Sequence, residues 1–244
     1  SLYIVDQRQA LHFEQVFRAR DRARYLPEKE LEHLGFGTVN GPDGKPFKTR
    51  EGGILKLHEF IAQADAVATA RMKEAELGAD VSEAEQEAIA HKVAVAAIKF
   101  SDLSNVRTTN YIFDLDRFIS FEGKTGPYLL FNAVRIKSLA RRAEAEGVKP
   151  GAIGIELDAE RALVLQLDAF SDALRSAYDK RMPHILCDHA YLLAQAFSGF
   201  YTAAPILVES DPVKKASRFA LALATLKQLE IVLALIGIDI PERM

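Results

Sequence analysis

Tyr128, Phe131 and Arg135 fall at i, i+3 and i+7 of a helical pattern and so share one face. Two aromatic planes and a guanidinium on one face can stack on splayed bases and hold phosphate. The same spacing also describes an ordinary core stripe with an arginine reaching out to solvent, and spacing alone favours that reading. A second group lies in the stretch 43–53, DGKPFKTREGG, where glycines flank Lys45, Lys48, Thr49 and Arg50. Such a loop can bring ammonium and guanidinium groups onto phosphates during group transfer. It lacks the glycine and lysine spacing of a P-loop, and as a polar turn tip with solvated lysines it needs no function. Gln7, Arg8, Gln9 and His12 follow a short apolar run, at the carboxyl end of a candidate strand, where ligands of open α/β sheets bind. A lone histidine at a helix start is more often structural than catalytic.

His184, Cys187 and His189 have metal-ligand side chains, but their spacing does not put all three on one helical face and no second cysteine completes a zinc site. No metal is expected. Lys137, Arg141 and Arg142 on one helix, and Lys214, Lys215 and Arg218 on another, read as solvated charge.

The elements that carry these groups are mostly helical. Leu2 to Asp6 reads as a strand feeding a helix from Gln9 to Arg24, an arrangement typical of an α/β sheet but here without evident partners. The stretch 35–49 is strand-like on both sides of Asn40-Gly41-Pro42-Asp43-Gly44, a strong hairpin signal. Helical patterns follow at 55–72, then from a Ser82/Glu85 capping box to about Phe100, and briefly at 114–119. The glycine-rich turn at Gly123 and Gly126 leads into Pro127, suited to the first helical position, and that helix ends at Gly147. One helix is expected from an Asp158 N-cap to Tyr178, another over 183–201, and a last one over 212–237. The whole is predicted to be mainly α, a helical bundle preceded by a small α/β portion.

Composition narrows the partners. The chain has 244 residues, 31 Lys and Arg against 34 Asp and Glu, and a formal charge of −3, which disfavours a non-specific DNA coat but leaves room for reading a folded RNA through a local patch. The single cysteine excludes an internal disulfide and fits a reducing compartment. No stretch is apolar for long enough to span a membrane and no signal peptide is visible, so the cytoplasm is the expected location.

Five collinear segments, LYIVDQRQALHF, HLGFGTVNGPDGKPFKTREGG, KFSDLSNVRTTNYIFDLDRFISFEGKTGPYLLFNAVRI, PHILCDHAYLLAQAFSGFY and IGIDIPERM, resemble the C-terminal half of arginyl-tRNA synthetases, a class I family. The resemblance implies three parts: 1–65 as a remnant of the Rossmann catalytic domain with its signature loop, 66–125 as a helical connector, and 126–244 as a DALR-type anticodon-binding domain. It implies that Gln9 binds the arginine substrate, that Gly37, Val39 and Lys48 border ATP, and that Lys48 and Arg50 act in the signature loop, where threonine replaces the second lysine of the class pattern. It further implies that Tyr128, Phe131, Arg135, Tyr201 and Met244 face the anticodon loop, Phe131 keeping the plane of the usual tyrosine without its hydroxyl.

The partners implied are arginine-accepting tRNA, with ATP, Mg²⁺ and arginine in the full-length enzyme; a monomer is expected, with no membrane and no protein-ligated metal. The His-x-Gly-His signature of class I enzymes is absent from the sequence. The chain taken alone is therefore expected to be inactive in arginine activation. Two readings remain at this point: part of an arginine–tRNA ligase, or a non-catalytic tRNA-binding module.

Overall fold

The computed structural model describes residues 1–25, 30–41, 44–45, 56–78 and 81–244. Strand β1 (Leu2–Asp6) passes through a 3₁₀ turn, Gln7–Gln9, into α1 (Ala10–Ala23) and then β2 (Glu32–Phe36) and β3 (Val39–Asn40). Helices α2 (Leu57–Glu74) and α3 (Glu83–Leu103) follow, then β4 (Tyr111–Ile112) and the short α4 (Leu115–Phe118). The remainder is helical: α5 (Gly126–Ala145), α6 (Asp158–Asp168), α7 (Phe170–Lys180), α8 (His184–Ala203) and α9 (Pro212–Leu235).

β1 is not a strand without partners. It pairs in parallel with β2, Leu2 opposite Glu32 and Asp6 opposite Phe36, so its backbone groups are satisfied along that edge. The aromatic rings of Tyr3, Phe13, Phe17 and His33 pack where α1 crosses the pair, Phe13 stacking on His33 at 4.8 Å.

Only the first arm of the expected hairpin around Asn40 falls within the described residues. β3 pairs in parallel with β4, Val39 opposite Tyr111 and Asn40 opposite Ile112, while the far side of the turn lies outside the described residues. Turn chemistry is nonetheless present: the Gly41 N–H donates to the Lys45 carbonyl and the Gly44 N–H to the Gly41 carbonyl, both at 2.9 Å.

The helix starts follow the sequence closely. Thr125 caps α5, its hydroxyl accepting the Tyr128 N–H at 3.2 Å, and Pro127 occupies the first turn. Ser82 Oγ accepts the Glu85 N–H at 3.3 Å at the head of α3, and Asp211 Oδ1 accepts the Val213 N–H at 2.8 Å at the head of α9.

The single helix expected over 158–178 is two, broken at Ala169. At the break the Gln228 amide, from α9, donates to the Leu167 carbonyl at 2.9 Å, a side chain inserted into the helical ladder from another element. The cap also differs: the N-cap is Leu157, and Glu160 Oε2 accepts the Glu156 and Leu157 N–H groups at 2.7 and 3.0 Å.

Two contiguous apolar cores hold the helices. One joins α2 and α3 to α5, α8 and α9 through residues such as Met72, Phe100, Leu130 and Leu233. The other joins α5, α6, α8 and α9 through Ile136, Leu163, Phe197 and Leu221. Helix α5 serves both, Leu129 and Leu130 in the first and Ala133, Ile136 and Leu139 in the second, so its orientation is fixed from two sides. No helix among the described residues is long and apolar enough to cross a membrane.

Gly126 shows how close the packing is. A Cβ there would sit 2.3 Å from the Ala96 carbonyl oxygen and 3.0 Å from the Ala97 nitrogen, both backbone atoms of α3. Neither can yield as a flexible side chain would. Gly126→Ala is therefore expected to destabilise by about 1–3 kcal/mol through overpacking. Urea unfolding measures this; an unchanged midpoint would show that α3 and α5 can separate freely.

Candidate nucleic-acid interface

Of the five residues assigned to an RNA face, the structure brings four together. Arg135 Cζ lies 4.7 Å from the centroid of the Phe131 ring and 5.6 Å from that of Tyr201, so one guanidinium bridges aromatic planes from α5 and α8. Met244 completes the wall. The resulting pocket, of about 270 Å³, is lined by Phe131, Val134, Arg135, Ser138, Leu139, Arg142, Tyr201 and Met244. Phe131, Arg135, Tyr201 and Met244 are half-buried, not core, which corrects what helical spacing alone suggests.

Tyr128 stands apart. Its ring packs on Tyr191 of α8 at 5.8 Å, one turn before the pocket, and its inner edge meets the first core. Between the two groups Ser198 Oγ donates to Asn132 Oδ1 at 2.9 Å, and Asn132 in turn donates to the Tyr128 carbonyl at 2.9 Å. Tyr128–Tyr191, Asn132–Ser198 and Arg135–Tyr201 thus form successive rungs between α5 and α8, which run in the same direction there.

Ser138 and Arg142 line the same pocket, and Tyr191 packs beside it on Tyr128. Ser138 and Arg142 follow Arg135 at i+3 and i+7, so the helical period that grouped Phe131 with Arg135 reaches them too. Tyr191 had no such signal, because its partner is on another helix.

A larger cleft, of about 1220 Å³, opens between the β1–β2 pair and helices α7, α8 and α9. Gly37 and Val39 line it, with Asp6 and Arg8 at the carboxyl end of β1. Arg8 is bound to Asp6 through Nε at 3.0 Å and Nη2 at 2.5 Å, and this guanidinium holds the Asp6 carboxyl down at about 2. Gln9 is exposed at the start of α1 and is not among the cleft's lining residues. Lys48 and Arg50 lie outside the described residues.

The stretch from Gly37 to Val39, between the end of β2 and the start of β3, is fixed by the segment after α3. The Gly37 N–H donates to the Arg107 carbonyl at 2.9 Å and the Thr38 N–H to Asn110 Oδ1 at 2.7 Å. A Cβ on Gly37 would lie 2.4 Å from the Thr109 carbonyl oxygen, so the two backbones approach at a distance only glycine allows. Arg107 also donates to the Gly35 carbonyl and, at 3.2 Å, to the Arg181 carbonyl, joining β2 to the end of α7. Tyr111 donates to Asp102 Oδ1 at 2.8 Å, and burial followed by that carboxylate pushes its hydroxyl pKa up.

Of His184, Cys187 and His189, the last two are buried in the bundle and His184 is half-buried at the head of α8. Cys187 is fully buried, and burial pushes its thiol up to about 12. His189 is held between Gln166 at 3.2 Å and Gln228 at 3.1 Å, and burial lowers its pKa. No group of three or more candidate metal ligands occurs among the described residues.

Arg218 corrects the reading of its charge run as solvated. Its side chain is 10% exposed and meets Glu160, 4% exposed, at 3.1 Å, with Glu209 at 2.6 Å.

The two halves of the chain match two family profiles. Residues 1–115 match the one described as tRNA synthetases class I (R), catalytic domain, and residues 129–244 match the DALR anticodon binding domain. A parallel strand–helix–strand unit followed by a helical bundle with an aromatic and arginine face is thus a class I catalytic portion joined to an anticodon-binding domain. Over its full length the chain is 60% identical to the arginine–tRNA ligases of Hyphomonas neptunium and Maricaulis maris, of which it covers 41% and 42%. The Thermus thermophilus arginyl-tRNA synthetase structure superposes on the whole chain with a TM-score of 0.83 at 28% identity, the chain covering 41% of it. The Plasmodium falciparum arginyl-tRNA synthetase shares the fold, with a TM-score of 0.81 at 22% identity, over 41% of its length. The chain belongs to the arginyl-tRNA synthetase family and spans about two fifths of the length of these relatives.

Proposed function

We propose that this chain is the part of an arginine–tRNA ligase that reads the tRNA anticodon and borders the ATP site. The observation that carries this reading is the convergence of Phe131, Arg135, Tyr201 and Met244, from two helices and the final segment, on one pocket. Its aromatic planes offer stacking surfaces, and Arg135 and Arg142 offer charge for phosphate. In the parent reaction the arginine carboxylate attacks the α-phosphorus of ATP and pyrophosphate leaves. A terminal ribose hydroxyl of the tRNA then attacks the adenylate carbonyl and AMP leaves. Catalysis in both steps is largely positioning and charge stabilisation.

Within this reading Gly37 and Val39 border the adenine, and their place on the wall of the large cleft supports it. Lys48 and Arg50 of the signature loop hold ATP phosphates together with Mg²⁺, and Gln9 hydrogen-bonds the arginine substrate. The division at 1–65, 66–125 and 126–244 is kept as the functional one, with α2 and α3 buttressing the bundle through their shared core. The intact ligase is proposed to act in the cytoplasm as a monomer.

ATP–pyrophosphate exchange with arginine and tRNA tests this. Exchange is expected from the intact ligase containing this sequence and none from the 244-residue chain. Robust exchange by the chain itself would overturn the division of labour.

A further inference from the structure

The segment after α9, which carries Met244 to the pocket, is fastened to the bundle at several points. Ile238 is 2% exposed, and its N–H donates to the Leu233 carbonyl at 2.8 Å. Lys99 of α3 donates to the Gly237 carbonyl. At the far end two residues of α5 take hold of Glu242: Lys137 Nζ meets Oε1 at 2.6 Å and Arg141 Nη1 donates to the Glu242 carbonyl at 2.9 Å. Lys137 is only 13% exposed, unusual for a lysine, whereas Glu242 is 78% exposed. The lysine is therefore part of the bundle surface and the glutamate is what it captures.

Lys137 and Arg141 lie one helical step aside from Arg135, Ser138 and Arg142, which line the pocket. We propose that Lys137 and Arg141 are positioning residues that clamp Glu242 and so hold Met244 against Phe131, Arg135 and Tyr201, completing the RNA-binding face with a folded tail. The inference rests on the RNA-binding reading and deepens it.

The clamp gives basic residues beside the pocket a structural task. One donor of each is engaged by Glu242, and Lys137 together with Arg141 lowers the Glu242 carboxyl below its ordinary range. Preorganising the tail spares the binding event the cost of ordering it.

The test uses the intact ligase and purified arginine-accepting tRNA, with the dissociation constant measured over a range of salt concentrations. Lys137→Met and Glu242→Gln are each expected to raise Kd by roughly threefold to tenfold. The double variant is expected to be no worse than either single one, because the two act as a unit. Lys137→Arg is expected to restore near-native binding. The salt dependence is expected to be unchanged throughout, since no phosphate contact is lost. A fall in the salt slope of about one for Lys137→Met, with Glu242→Gln binding normally, would make Lys137 a phosphate ligand and overturn the clamp. Native binding by both single variants, with Phe131→Ala still weakened, would overturn the clamp alone. Native binding by Phe131→Ala as well would overturn the RNA-binding face and the clamp with it.

Discussion

Arg218→Met is expected to destabilise the protein by about 3–5 kcal/mol, because it leaves a buried carboxylate without its cation. Glu160 is 4% exposed on its side chain and Arg218 10%. Burial acts to raise the Glu160 carboxyl, but the N–H groups of Glu156 and Leu157, with Arg218, outweigh it and hold the group below its ordinary value of 4.5. Lowering of this kind contributes stability that is present above the unfolded value and lost as pH falls through the folded one. The penalty of Arg218→Met is therefore expected at neutral pH and should shrink as pH falls through the lowered folded value, where Glu160 takes up its proton and no longer needs a cation. Urea unfolding of native and variant proteins at neutral and acid pH measures both parts. A penalty of the same size at both would show that the loss is packing and not charge. The structural consequence is specific: Arg218 ties α9 to the head of α6 through Glu160 and to the loop before α9 through Glu209 and the Pro205 carbonyl.

Phe131→Ala in the intact ligase is expected to weaken tRNA binding by about 1–3 kcal/mol, the range for one base stacked on an aromatic ring. At tenfold for every ~1.4 kcal/mol this is roughly a fivefold to 150-fold rise in Kd. Two losses combine: the stacking plane itself, and the ring over which Arg135 sits at 4.7 Å. Tyr128→Ala is expected to weaken binding less, because Tyr128 packs on Tyr191 and the first core and lies beside the pocket, not in its wall. Its effect should run through the α5–α8 rungs and appear partly as lost stability. Equal losses from the two substitutions would place the bound RNA along the whole α5–α8 groove; no loss from Phe131→Ala would remove the pocket from the recognition surface.

The sequence by itself determined what is local. Thr125 and Pro127 set the start of α5, Asp211 and Pro212 that of α9, and Ser82 that of α3, because a cap acts through bonds made within three residues. The helical period placed Phe131 and Arg135 on one face, and their cation–π contact is an i, i+4 event. The collinear segments carried the family, and with it the class of fold. The tertiary structure alone decided which strand lies beside which. β1 took β2 across a helix, and β3 took β4, 72 residues further on, since an edge strand's open hydrogen bonds do not name their partner.

It also decided where a helix breaks and which charge is buried. Gln228 reaches Leu167 and Arg218 reaches Glu160 from α9, and neither residue is marked for that in its own neighbourhood. Finally, it separated Tyr128 from the pocket and brought Tyr201 and Met244 into it. The cause is the direction in which α5 and α8 pack, a product of two apolar cores acting on α5 at once, and no single helix's sequence contains that information.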